Sequence, residues 1–207
     1  MRNTRFLSKN KSICKMALLP IVFWSTTSLA SWTLSGEESS LHYVSIKADQ
    51  VGELNTFKHL EGKISDAGEF VFSIHLASVE TYIPIRNERT NEFLFETAKF
   101  PLATGKGKVD ASVLANLTIG EVKSIKVPVQ IDLHGKSATK EVVFQVTKLS
   151  AEKLWTVTPA PFLINAAEFD LNAGVDKLKE LAGLPNIARA VPVTASLVFT
   201  LDKAAKK

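Results

Sequence analysis

Cysteine is nearly absent from this 207-residue chain, and Cys14 is the only one. It falls within a first segment of 30 residues that reads as removable, so the remainder can form no disulfide, no thiolate nucleophile and no Cys-ligated metal site. Cys14 also precedes the neighbouring apolar run instead of following it, so it is not a lipidated N-terminal cysteine. That run, Met16–Trp24, is nine residues long and too short to span a bilayer. A basic excess is missing as well once the first segment is set aside. Arg2, Arg5, Lys9, Lys11 and Lys15 are its only charges, and removing these five from 25 leaves 20 Lys and Arg against 21 Asp and Glu, a formal charge of −1. Without a basic stripe there is no footprint for nucleic acid.

What is present at the start has the layout of a secretory signal: a basic stretch, an apolar run, then Ser28-Leu29-Ala30 with small residues where a signal peptidase cuts. The expectation is cleavage before Ser31 and a mature chain in a Gram-negative periplasm. Its 177 residues, Ser31 to Lys207, suffice for one domain to bury a full core without disulfides.

Period-two alternation dominates the rest. Phe70, Phe72, Ile74 and Leu76 alternate with smaller or more polar residues, as in a half-buried strand. Val127, Val129, Ile131 and Leu133 share a face opposite Pro128, Gln130, Asp132 and His134, and a Gly135-Lys136-Ser137 turn leads to Val142, Phe144 and Val146. This predicts a hairpin, with Pro128 near a sheet edge. Leu41–Ile46, Trp155–Leu163 and the series Val191, Val193, Ala195, Leu197, Phe199 and Leu201 are further strands. Gly62 marks a bulge or bend, Gly105-Lys106-Gly107-Lys108 breaks the pattern, and Val109–Leu117 reads as strand or loop. Two short helices complete the set. Arg86–Thr97 is charged, ends near Phe93 and drops Phe95 inward; Gly174–Leu184 carries Val175, Leu178 and Leu181 on one stripe before Pro185 stops it. The sum is all-β, a barrel or sandwich, and the lack of a long hydrophobic helix to cover an open sheet favours the barrel.

The stretch between two of these strands also has a family likeness. Ser78-Val79-Glu80-Thr81 at a strand end, Arg86-Asn87-Glu88 in a charged helix, then Phe93-Leu94-Phe95 and Phe100-Pro101, resemble the YceI-like family of lipocalin-like polyisoprenoid-binding proteins. Gly62-Lys63-Ile64 and the Leu133/Gly135 hairpin are similar to it too, and the likeness covers nearly all of Trp32 to Asp202. The chain departs from the pattern at Asn87 and Arg89, where many members carry Asp and His, and at Asn165–Asp170. The resemblance implies an extended eight-stranded antiparallel barrel with an elongated apolar cavity and two short helices near its mouth. It further implies an isoprenoid quinone or polyprenyl lipid as ligand, with no required cofactor and no catalysis.

Inward side chains of such a barrel either fill it or line a cavity for one ligand, and the residues alone support both. A filled barrel would belong to a stress-linked structural or interaction protein; the resemblance selects the cavity. The expected lining is Tyr43, Phe57, Phe70, Phe72, Ile74, Leu76, Phe93, Phe95, Val129, Ile131, Phe144, Trp155, Leu197 and Phe199. Arg86 and Arg89 read either as surface charges near Glu88 and Glu92 or as a head-group rim, where planar guanidinium groups suit phosphate. The implied partner is an amphiphilic small molecule; a transient membrane contact and a homodimer are compatible with the sequence. Catalytic motifs are missing. Gly135-Lys136-Ser137 lacks the upstream glycine and following helix of a phosphate loop, and no G-x-S-x-G elbow occurs. His42, His59, His75 and His134 are scattered, and His75 and His134 fall on the polar face of their strands, so the sequence predicts solvent-facing imidazoles and no metal.

Overall fold

The computed structural model describes residues 31–202; the expected signal segment and the last five residues lie outside that range. Twelve strands follow in order: β1 Trp32–Leu34, β2 Ser40–Lys47, β3 Val51–Phe57, β4 Leu60–Ile64, β5 Glu69–His75, β6 Val79–Glu80, β7 Leu102–Lys108, β8 Val122–Leu133, β9 Lys136–Ser150, β10 Lys153–Val157, β11 Phe162–Asn165 and β12 Ala190–Leu201. The pairing runs β1-β4-β5-β7-β8-β9-β10-β12, and β1 pairs with β12 as well, so eight antiparallel strands close into a barrel. β2, β3 and β6 continue from β12 on one side and β11 pairs with it, which lengthens the barrel beyond its closed half. The all-β barrel expected from the alternation is therefore the observed architecture.

Several strands are continuous walls broken once. The Pro159-Ala160-Pro161 stretch separates β10 from β11, because proline cannot donate to the ladder. Thr158 repairs the gap: its amide donates to the Ala195 carbonyl, and its hydroxyl accepts the Ala195 amide, both at 3.0 Å. The β3–β4 break falls at Lys58-His59, not at Gly62, which lies inside β4. A Cβ on Gly62 would sit 3.4 Å from Leu34 Cβ and 3.6 Å from the Phe199 ring, so the glycine makes room for inward neighbours. Gly105 and Gly107 likewise lie within β7. There the sequence reading of a broken pattern was wrong for the same reason: the Phe70 ring occupies the place of a Gly107 side chain.

Helices close both ends. α1 Pro84–Arg89 runs into a π-helical turn, Thr90–Leu94, and α3 Asn172–Leu181 packs on that turn with Gly174 against the Phe93 carbonyl. At the opposite end α2 Ala111–Asn116, capped by the Asp110 carboxylate accepting the Ser112 amide at 2.9 Å, inserts Leu114 and is followed by the buried Leu117. The sequence had offered only strand or loop there. Pro128 is not on an edge strand; β7 and β8 pair only at Thr104–Lys106 with Gln130–Asp132, and Pro128 stands just beyond, where no ladder donor is needed.

Candidate ligand cavity and its polar end

The barrel is hollow. A cavity of about 240 Å³ runs inside it from Ile64, Leu114 and Ile125 near α2 to Leu133, Leu171 and Val175 beneath α3. That is many times the 10–15 Å³ that a single water-sized sphere needs. Its side-chain lining is aliphatic and aromatic except for Tyr43, Thr104 and Thr156. Of the residues expected to line it, Tyr43, Phe57, Phe70, Phe72, Ile74, Leu76, Phe95, Val129, Ile131, Phe144, Leu197 and Phe199 do so.

Two expected lining residues lie elsewhere. Trp155 points outward, 38% exposed, and its indole N–H donates to Ser196 Oγ at 2.9 Å. The inward positions on β10 are its neighbours, Leu154, which is fully buried, and the half-buried Thr156. The polarity of β10 is inverted there, a threonine inside and a tryptophan outside, which size alone misreads by one residue. Phe93 belongs to the π turn, half-buried, with its carbonyl against α3; Leu94 and Phe95 take the lumen.

The shape of the lumen follows from pairing across β4, β5 and β7. Phe72 stands opposite Gly62 on one side and Gly105 on the other; Phe70 faces Gly107, and Ile74 faces Ala103. The small residues Gly62, Ala103, Gly105 and Gly107 on the flanks of β5 thus leave space beside its large side chains, while Leu60 and Ile64 of β4 stand opposite Ile74 and Phe70. On the far wall, the rings of Tyr43, Phe57 and Phe95 form a chain with centroids 5.5 and 5.9 Å apart.

Above Tyr43 the inner face becomes polar. The register sets Tyr43 opposite Asn55, Ser45 opposite Glu53 and Lys47 opposite Val51, so the β2–β3 hairpin carries polar groups inward as it rises. Asn55 is 2% exposed and donates to Ser45 Oγ at 3.1 Å. Lys47 pairs with Glu53 at 2.7 Å, and the Arg86 guanidinium, reaching down from α1, donates to the other Glu53 oxygen and to the Thr81 carbonyl. Arg86, with Lys47, holds the Glu53 carboxyl below the usual carboxylate range. Burial pushes the Tyr43 phenol well above its ordinary value, a shift that nearby Arg86 opposes. Arg86 Nε is buried with no hydrogen-bond partner among the described residues.

Arg86 is therefore no free surface charge: three quarters of its side chain is covered. Arg89 turns away from the lumen and donates to the Leu181 carbonyl at 3.2 Å, tying α1 to α3. The two arginines expected on one rim do different things. Sequence reasoning missed Ser45, Glu53 and Asn55, which only the hairpin register places on one face with Tyr43. Asn87 anchors α1: its carbonyl oxygen accepts the Thr81 amide at 2.8 Å, and its amide donates to Glu80 at 3.0 Å. Among the histidines, His134 is not solvent-facing; it sits in the turn at φ 51°, packs against the Phe100 ring at 4.5 Å and a 56° tilt, and is 13% exposed.

A family model for the YceI-like domain matches residues 32–199. The chain belongs to the YceI-like family. A polyisoprenoid-binding domain of Saccharophagus degradans, implicated in plant cell wall breakdown, is 37% identical, with a TM-score of 0.81 over 83% of this chain and 98% of that one. Burkholderia cenocepacia BcnA, at 17% identity and a TM-score of 0.63 over 80% of this chain and 98% of its own, shares the fold of this YceI-like chain. So does the Campylobacter jejuni YceI protein, at 14% and 0.52 over 72% and 85%. No curated protein matches the chain.

Proposed function

We propose that this YceI-like protein is an exported carrier that buries the apolar chain of an isoprenoid quinone or polyprenyl lipid in its barrel and performs no chemistry on it. The observation that carries the reading is the continuous apolar cavity, reaching from α2 to α3 inside a barrel that its own side chains do not fill. The 37% identical polyisoprenoid-binding domain supports the same ligand class. At about 25 cal/mol per Å² of apolar surface, hiding several hundred Å² of isoprenoid tail contributes on the order of 10 kcal/mol before ordering costs. Recognition of that kind needs few directional contacts. The head group belongs at the polar end, where the Tyr43 phenol faces the lumen and Arg86 lies close behind it.

Export rests on the basic stretch, apolar run and Ala30 of the first segment, and N-terminal sequencing of the periplasmic fraction should begin at Ser31. The carrier reading includes a transient membrane contact. Tyr82, Ile83 and Ile85 are exposed apolar side chains around the start of α1, and they suit a brief meeting with lipid. Native mass spectrometry of the protein released gently from its own envelope tests the function. A bound species with the mass of a quinone or polyprenyl lipid is expected; a uniformly ligand-free protein that also fails to take up added polyprenyl lipid would refute it.

A further inference from the structure

We infer that His59, His75 and Glu61 form a binding site for a single divalent transition-metal ion, zinc above all, on the outer wall of the barrel. The alternation that buries Leu60 and turns Ile64, Phe70, Phe72 and Ile74 toward the lumen turns the residues between them outward. The His75 amide donates to the His59 carbonyl at 3.1 Å, so the two histidines stand directly opposite across the β4–β5 pair. Glu61 is two residues on from His59 and opposite Ser73, which places it diagonally from His75 on the same face. Strand register thereby builds a compact triangle from residues that no sequence spacing links.

The donor geometry is close to that of a bound ion. Each imidazole Nε2 lies near the same Glu61 oxygen, at 3.1 Å from His59 and 3.3 Å from His75. Zinc bonds of 2.0–2.1 Å in a tetrahedron set neighbouring donors about 3.3 Å apart, so two edges of the triangle already have coordinating length. All three donor atoms lie within 4.8 Å of one another. The rings are stacked, centroids 3.8 Å apart and 8° from parallel, so they need only splay to aim both lone pairs at one ion. Their exposure permits it: the side chains are 56% (His59), 60% (Glu61) and 36% (His75) accessible. Two imidazoles and a carboxylate, with no thiolate, select zinc, copper or nickel over magnesium or calcium. A fourth position stays open to water or to a donor from another molecule. The site stands on the opposite face of the wall from Ile74 and is independent of the lipid reading.

Zn²⁺ titration of the mature, untagged protein by calorimetry is the test. One saturable site per chain is expected, weakened about tenfold or more by H59A, H75A or E61Q and abolished in the double histidine variant. Added Zn²⁺ should raise the Tm of the wild type, raise it less in the single variants, and leave that of the double histidine variant unmoved. No saturable uptake, or uptake unchanged in H59A/H75A, overturns the site. Should a variant fold poorly, Co²⁺ on the wild type decides: intense visible bands of a four-coordinate nitrogen–oxygen set are expected, and the pale spectrum of the six-coordinate aqua ion overturns the inference.

Discussion

The β4–β5–β7 wall and the β2–β3 hairpin line opposite ends of one lumen with the same period-two geometry and opposite chemistry. Along the wall, every inward position is apolar or glycine, and space is set by facing Phe70 and Phe72 with Gly107, Gly105 and Gly62. Along the hairpin, the inward series passes from Leu41 and Phe57 through Tyr43 and Asn55 to Ser45, Glu53 and Lys47. Alternation therefore says which residues face in, and their chemistry says what the interior holds at that level. The wall can accept only hydrocarbon, whereas the hairpin end offers phenol, amide and guanidinium.

The largest expected effect separates the two regions through stability. Arg86→Ala removes both the main partner of Glu53 and the donor to the Thr81 carbonyl. Loss of a partner for a partly buried charge that retains Lys47 should cost about 2–3 kcal/mol, read by urea denaturation. A cost below about 0.5 kcal/mol would show that the polar end is a loosely held rim. On the wall, Gly107→Ala puts a Cβ 2.5 Å from Phe70 Cζ and 3.0 Å from the Pro128 carbonyl, and should cost roughly 1–2 kcal/mol as the ring is driven into the lumen. Gly105→Ala is the control. Its Cβ would meet only Val129 Cγ1 at 3.4 Å, and it should be neutral or stabilising by about 0.5–1 kcal/mol. Equal losses for the two would mean that the glycines are needed for backbone reasons and not for space.

The smallest effect is pH-dependent and lies where the hairpin meets the cap. Lys58, Asn87 and the Tyr82 amide hold the Glu80 carboxyl at about 2, against an ordinary 4.5. A depressed folded-state pKa contributes stability that is present above 4.5 and lost as the pH falls toward 2. Glu80→Gln should lower the Tm near neutrality, and the gap to wild type should close across that window. A gap that persists unchanged at acid pH would place the effect in packing instead of charge.

The strands of unbroken alternation were far more legible in the sequence than β4, β7 or the hairpin. β5, β8, β9 and β12 carry unbroken alternation, so their inward faces can be read without knowing any partner strand. Gly107 inside β7 looks like punctuation until the Phe70 ring that occupies its side-chain space is known. Leu154 and Trp155 invert the usual relation of size and burial, because the indole N–H finds Ser196 on the outside. α2 is only six residues long and depends on its Asp110 cap and the burial of Leu114, signals too short to outvote a strand reading. The polar series above Tyr43 and the His59–Glu61–His75 triangle arise from cross-strand register, which a single sequence does not display.

The central claim is that the lumen is space held open for a ligand's apolar chain. Retention of a polyprenyl lipid, measured together with stability, in Val129→Trp and Ile74→Trp tests it most directly, since both side chains face the cavity from different strands. An open lumen accepts the indole, so each variant should lose lipid while its unfolding free energy changes by less than about 1 kcal/mol. Lipid retention equal to wild type, alongside a loss of roughly 1–3 kcal/mol from overpacking, would contradict the account.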